Sequence, residues 1–128
     1  MNLAMSVSHC LVWWEPAVLF PPSCPASLAE SGAPFVELHT GCYADARGAA
    51  RAVELERLRH AAATAREHGL RVNAGHGLDY ANVAPVAAIA GVEELNIGFA
   101  IVARSVFVGV ETALREMLAA IEKERRGG

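Results

Sequence analysis

The chain divides by its pattern of apolar and polar positions. From Ala33 onward, short solid apolar runs alternate with longer stretches whose apolar residues recur every three or four positions. "PFVELH" (Pro34 to His39) is the first run. It is opened by proline, partly β-branched and closed by Gly41, and it reads as a buried strand. A helix is expected from about Gly48 to His68, where Leu55, Leu58, Ala62 and Ala65 share one stripe and Gly69 follows as the terminating residue. "LRVNAG" (Leu70 to Gly75) is the second strand, and Tyr80 to Ile89 a short helix broken or bent near Pro85. "EELNIG" (Glu93 to Gly98) is the third strand, followed by the short segment "FAIVARSVFVG". The last helix runs from about Val110 to Glu124, with Leu114, Met117, Leu118 and Ile121 on one face and Glu111 near its N-terminus. Strand and helix in strict alternation predict an α/β fold with right-handed crossovers and parallel strands.

Polar residues interrupt this pattern at one kind of place. Glu37 and His39 fall in the first strand, Asn73 and His76 around the end of the second, and Asn96 and Gly98 at the third. Parallel α/β sheets bind ligands at the carboxyl ends of their strands, so three such ends mark a functional edge.

Composition narrows the class. The 128 residues make one domain, 53% hydrophobic with a net charge of -3. Arginines cluster only in the terminal "EKERRGG", a solvated helix end, and no basic stripe for nucleic acid is present. No apolar run approaches the ~20 residues that span a bilayer. Three cysteines, Cys10, Cys24 and Cys42, are odd in number and unpaired in spacing, which fits a reducing cytoplasm. His39 and Cys42 lie three apart but no second ligand pair follows, so no metal site is expected. Residues 1–30 hold both tryptophans and two of the cysteines, lack a basic start, and are interrupted by Glu15 and Pro16. They read as an irregular leader with neither a strand nor a helix period, and not as a signal peptide.

Three stretches carry candidate chemistry. In Gly75-His76-Gly77, glycines on both sides let a ligand approach a side chain able to exchange protons near neutral pH; the plain alternative is a loop histidine with no task. "GHGLDY" starts like a dinucleotide fingerprint, but Tyr80 stands where the third glycine belongs, and that reading is rejected. Glu37 places a carboxylate on a buried strand, which requires a partner; a structural ion pair with an arginine is the alternative to a site role. His39 points to the same side as Glu37 and reads as a packing residue beside it. In "LNIGFAIVARS" a glycine turn opens a helical segment whose free N–H groups suit an anion, and Arg104 reads as a rim salt bridge before a phosphate contact.

Together, "GAPFVELHTGCYADA", "LRVNAGHGLDYANV" and "ELNIGFAIVARSVFVG" resemble the pyridoxine 5'-phosphate synthase family, over about Ser27 to Glu124. The resemblance implies a (β/α)8 TIM barrel, of which residues 27–128 would hold about the last three βα units, with residues 1–26 unlike the family. It implies a cytoplasmic transferase-type enzyme of vitamin B6 biosynthesis. Such enzymes condense 1-deoxy-D-xylulose 5-phosphate with 3-amino-2-oxopropyl phosphate and release phosphate and water, with no cofactor and no metal. By resemblance His76 is the proton donor, Glu37 stabilises the transition state, and Gly77, Gly98 and Phe99 bind substrate. Phe99 stands where the family usually has a histidine. The motifs of the family's N-terminal half, which supply its general bases, do not occur here. Three strands alone would expose an edge and an apolar interior face, so either an unstable fragment or a homo-oligomer that completes the sheet with another copy is expected. The rival readings are a non-catalytic phosphate-binding half-barrel and a degraded or misread gene product.

Overall fold

The computed structural model describes residues 10–12 and 32–125. Its elements follow the chain as β1 (Cys10–Val12), β2 (Phe35–His39), α1 (Gly41–Asp45), α2 (Ala49–Glu67), β3 (Arg71–Gly75), α3 (Val83–Ala87), β4 (Val92–Asn96), α4 (Phe99–Val108) and α5 (Val110–Arg125). Among the described residues the strands form one sheet in the order β1-β2-β3-β4, and every neighbouring pair is parallel. The expected α/β alternation is therefore present. β1, which pairs Leu11 with Val36, lies inside the segment read above as irregular, and adds a strand there.

Each helix forms where its composition favours one. The 19-residue α2 is rich in alanine, leucine, glutamate and arginine, all strong helix formers. Its buried contacts are Ala62 and Ala65, with Leu55 and Leu58 packed against the core, as the stripe predicted. α3 is shorter than expected, and Pro85 sits in its first turn, where no intrahelical bond is lost. The segment after β4 is a full ten-residue helix, separated from α5 only by Gly109.

The sheet has two unlike faces. Alternation along β2 buries Val36 and Leu38 and leaves Phe35, Glu37 and His39 half-buried. The apolar face continues through Val72, Ala74 and Val92 and is sealed by α2, α3 and α5, whose Ala62, Ala65, Val83, Val86 and Met117 complete the core. On the other face Glu37 pairs in register with Asn73, Asn73 with Glu94, and Gly75 with Asn96. The Asn73 amide donates to Glu94 at 3.3 Å, which fixes these side chains on one side. The expectation of an apolar interior face is thus corrected. The run "PFVELH" is buried on alternate residues only, so its helix-covered face is apolar and its other face polar. Exposed apolar surface lies elsewhere, on α4 and α5, where Phe99, Val102, Val106, Phe107, Leu114 and Leu118 all face outward. No helix among the described residues is long and apolar enough to cross a membrane.

Candidate functional site

The carboxyl ends of β2, β3 and β4 open onto one cleft of about 1050 Å³. Glu37 and His39 line it from β2, His76, Gly77 and Asp79 from the loop after β3, Asn96 from β4, Gly98 and Phe99 from the start of α4, and Arg104 from its middle. The predicted positions Glu37, His76, Gly77, Gly98 and Phe99 are therefore brought together.

His76 owes its place to backbone geometry. Its φ is 88°, in the left-handed region that residues other than glycine rarely enter. Thr40, fully buried at the end of β2, holds this turn. Its Oγ1 lies 2.7 Å from the Gly75 carbonyl and 2.6 Å from the His76 carbonyl, and its backbone N–H donates to Gly75 at 2.7 Å. Further along, the Asp79 carboxylate accepts from the N–H groups of Ala81 and Asn82, at 2.8 and 2.9 Å. The buried Asn82 side chain accepts from the Asp79 N–H at 2.8 Å and donates to the Gly77 carbonyl at 3.2 Å. The Tyr43 hydroxyl donates to the Asn82 carbonyl at 2.8 Å, tying this loop to α1. Sequence reasoning missed Thr40 and this scaffold. The signal was an Asp and an Asn three apart just before a helix, a pairing suited to local side-chain-to-backbone bonds.

The rings of His39 and His76 stack with centroids 4.2 Å apart and planes inclined by 30°. Gly41 makes this possible, because a Cβ there would stand 2.6 Å from His39 Cε1 and 3.2 Å from His76 Cδ2. The Gly41 N–H donates to His39 Nδ1 at 3.3 Å, so that nitrogen is unprotonated. Burial lowers the pKa of His39 below its ordinary value, the neighbouring His76 lowers it further, and Glu37 opposes both. His39, whose charged form burial disfavours, is the ring on which His76 rests.

Among the described residues Glu37 pairs with an amide and not with an arginine. Its Oε2 accepts a hydrogen bond of 2.7 Å from the Asn96 side-chain amide, which leaves the ion-pair alternative without support. Arg104 is engaged at the rim as expected: its Nε and Nη2 donate to the two carboxylate oxygens of Glu116, at 2.7 and 3.0 Å. Gly98 precedes α4 with open space around its Cα, and the N–H groups of the first turn from Phe99 have no acceptor within the helix. Phe99 itself is 88% exposed on the cleft wall. The described residues hold no cluster of three or more His, Cys, Asp or Glu placed to bind a metal.

This arrangement offers a proton-exchanging imidazole, a carboxylate held by a neutral donor, and a helix N-terminus suited to an anion, all on one cleft. Comparison with known proteins points the same way. Residues 23–123 match the family described as pyridoxal phosphate biosynthesis protein PdxJ. The chain is 62% identical over 95 residues to a protein of Parasynechococcus marenigrum (strain WH8102) named pyridoxine 5'-phosphate synthase, covering 74% of this chain and 38% of that relative. It is 60% identical over 97 residues to one of the same name from Prochlorococcus marinus (strain MIT 9303), covering 76% of this chain and 40% of the relative. The chain thus spans about two fifths of the length of the curated relatives it matches. With a family match over most of its length and these identities, the chain belongs to the PdxJ family of pyridoxal phosphate biosynthesis proteins.

Proposed function

We propose that this chain carries the C-terminal edge of a pyridoxine 5'-phosphate synthase barrel, where 1-deoxy-D-xylulose 5-phosphate condenses with 3-amino-2-oxopropyl phosphate and phosphate and water leave. The observation that carries the reading is the convergence of Glu37, His76 and the α4 N-terminus on one cleft at the strand ends. His76, exposed and rigidly displayed, gives a proton to a departing oxygen. The Glu37 carboxylate opposes positive charge as it builds on the condensing nitrogen. Gly77 and the N–H groups around Gly98 and Phe99 hold the phosphate of the amino ketone, through backbone donors that survive with phenylalanine at position 99.

The test is to mix both substrates with the full chain and follow phosphate release. Release that disappears in His76→Ala supports the reading, and no release above background from the wild-type chain overturns it for this chain. Phosphate bound without turnover would favour the phosphate-binding reading instead. Self-association belongs to the same proposal. Val106 and Phe107 are 77% and 83% exposed, a face that water disfavours and a second copy would cover. Sedimentation of Phe107→Glu should show smaller species than the wild type, and unchanged sedimentation would remove that part.

A further inference from the structure

We propose that Asn96 is the positioning residue of the Glu37 carboxylate, and that position 75 is glycine because the bridge between the two crosses it. The inference rests on the role proposed for Glu37. β2 and β4 are not neighbours, since β3 runs between them. Their side chains nevertheless meet, with Asn96 Nδ2 2.7 Å from Glu37 Oε2. The path lies over Gly75, which pairs with His39 on one side and Asn96 on the other. A Cβ at Gly75 would stand 2.9 Å from Asn96 Cβ, 2.9 Å from the Asn96 carbonyl oxygen and 2.9 Å from Glu37 Oε1. Any side chain there would displace the carboxylate and its donor together.

The choice of donor has a chemical reason. An arginine at position 96 would bind both carboxylate oxygens and set a full positive charge against them. An amide fixes one oxygen and leaves the negative charge in place. Preorganisation of this kind is effective because the group does not have to reorient as charge develops. Asn96 is exposed, so its substitution disturbs no core packing.

The experiment follows carboxyl and side-chain amide resonances of the full chain against pH. The titratable and charged groups around the bridge are His39 on β2, His76 and Asp79 after β3, Glu94 on β4 and Arg104 on α4. Assignment to Glu37 therefore uses Glu37→Gln. We expect the Asn96 amide protons to shift as Glu37 titrates and to lose that response in E37Q. In Asn96→Asp the two facing carboxyls should share a proton, one of them titrating above the ordinary carboxylate range, and the E37Q/N96D double variant should restore ordinary titration. Amide protons of Asn96 that ignore the Glu37 titration would overturn the inference, and this holds even if N96D does not fold. In the phosphate-release assay Asn96→Ala should lower kcat about tenfold to a hundredfold with KM unchanged. A fall confined to KM would also overturn it. A wild-type chain without phosphate release overturns the proposed function alone, because the titration still decides whether Asn96 holds Glu37.

Discussion

Thr40→Val isolates the bond that holds His76. Valine has the shape of threonine without the hydroxyl, so no cavity forms at this fully buried site. What is lost is a donor lying 2.7 Å from the Gly75 carbonyl and 2.6 Å from the His76 carbonyl. Gly75 keeps a partner, the Thr40 N–H at 2.7 Å, while the His76 carbonyl loses the Thr40 hydroxyl. Removing one partner of a buried hydrogen bond costs about 1–3 kcal/mol, and the part-buried position of this one places the loss in the lower half, about 1.5 kcal/mol. At about 3–5 °C per kcal/mol for a domain of this size, Tm should fall by roughly 4–8 °C. The left-handed backbone at His76, φ 88°, stores on the order of 1–3 kcal/mol that the same bond helps to restrain. In His76→Gly that strain is relieved, so Thr40→Val should cost less in the H76G background than in the wild type. Thermal and urea melts of the two single variants and the double variant measure this directly. The reasoning is refuted if T40V melts with the wild type, or if Thr40→Ser, which keeps the hydroxyl, loses as much as T40V.

His39 supplies a pH prediction. Its folded-state pKa lies below the ordinary imidazole value, so the unfolded chain binds the proton more readily. Stability from this group is complete above about pH 6.5 and is lost as pH falls through that value towards the folded one. Removing His76 should raise the His39 pKa and narrow the window, and Glu37→Gln should lower it and widen the window; imidazole proton shifts against pH check both. Met117→Ala should cost about 2–5 kcal/mol in a urea melt, because Met117 is 2% exposed in the core, on a helix that packs against α3 and α4. Gly75→Ala should destabilise by about 1–3 kcal/mol through overpacking against Asn96 and Glu37, and a neutral result would mean the bridge moves aside freely.

The fold was legible where the pattern is long. The stripe of α2 repeats over several turns, and the strands are bounded by glycine or proline. The face expected for α5 is met only in part: Met117 is buried and Ile121 packs on the core, but Leu114 and Leu118 are exposed, and Ala113 takes the buried place beside Met117. Short elements escaped. α1 is a single turn opened by a glycine and without apolar period, and β1 is three residues in a tryptophan- and proline-rich setting. In the site, Glu37, His76 and Gly98 stood out because polar residues and glycine interrupt strand ends. The bond from Asn96 to Glu37 did not, because it depends on the register of three strands, which no local run of residues encodes. His39 is the intermediate case: its side of the strand was readable, but its stacking on His76 needs the turn that Thr40 fixes.

The opposition between the two faces of the sheet bears on how such a chain can change over generations. Residues that secure folding, such as Val36, Val72 and Met117, sit against the helices, while those with chemical potential, such as Glu37, Asn73 and Asn96, project the other way. A replacement on the polar face alters reactivity while leaving the packed interior intact. Mutational tolerance should therefore split along alternate residues of each strand, so that a lineage can test new substrates without first risking its solubility.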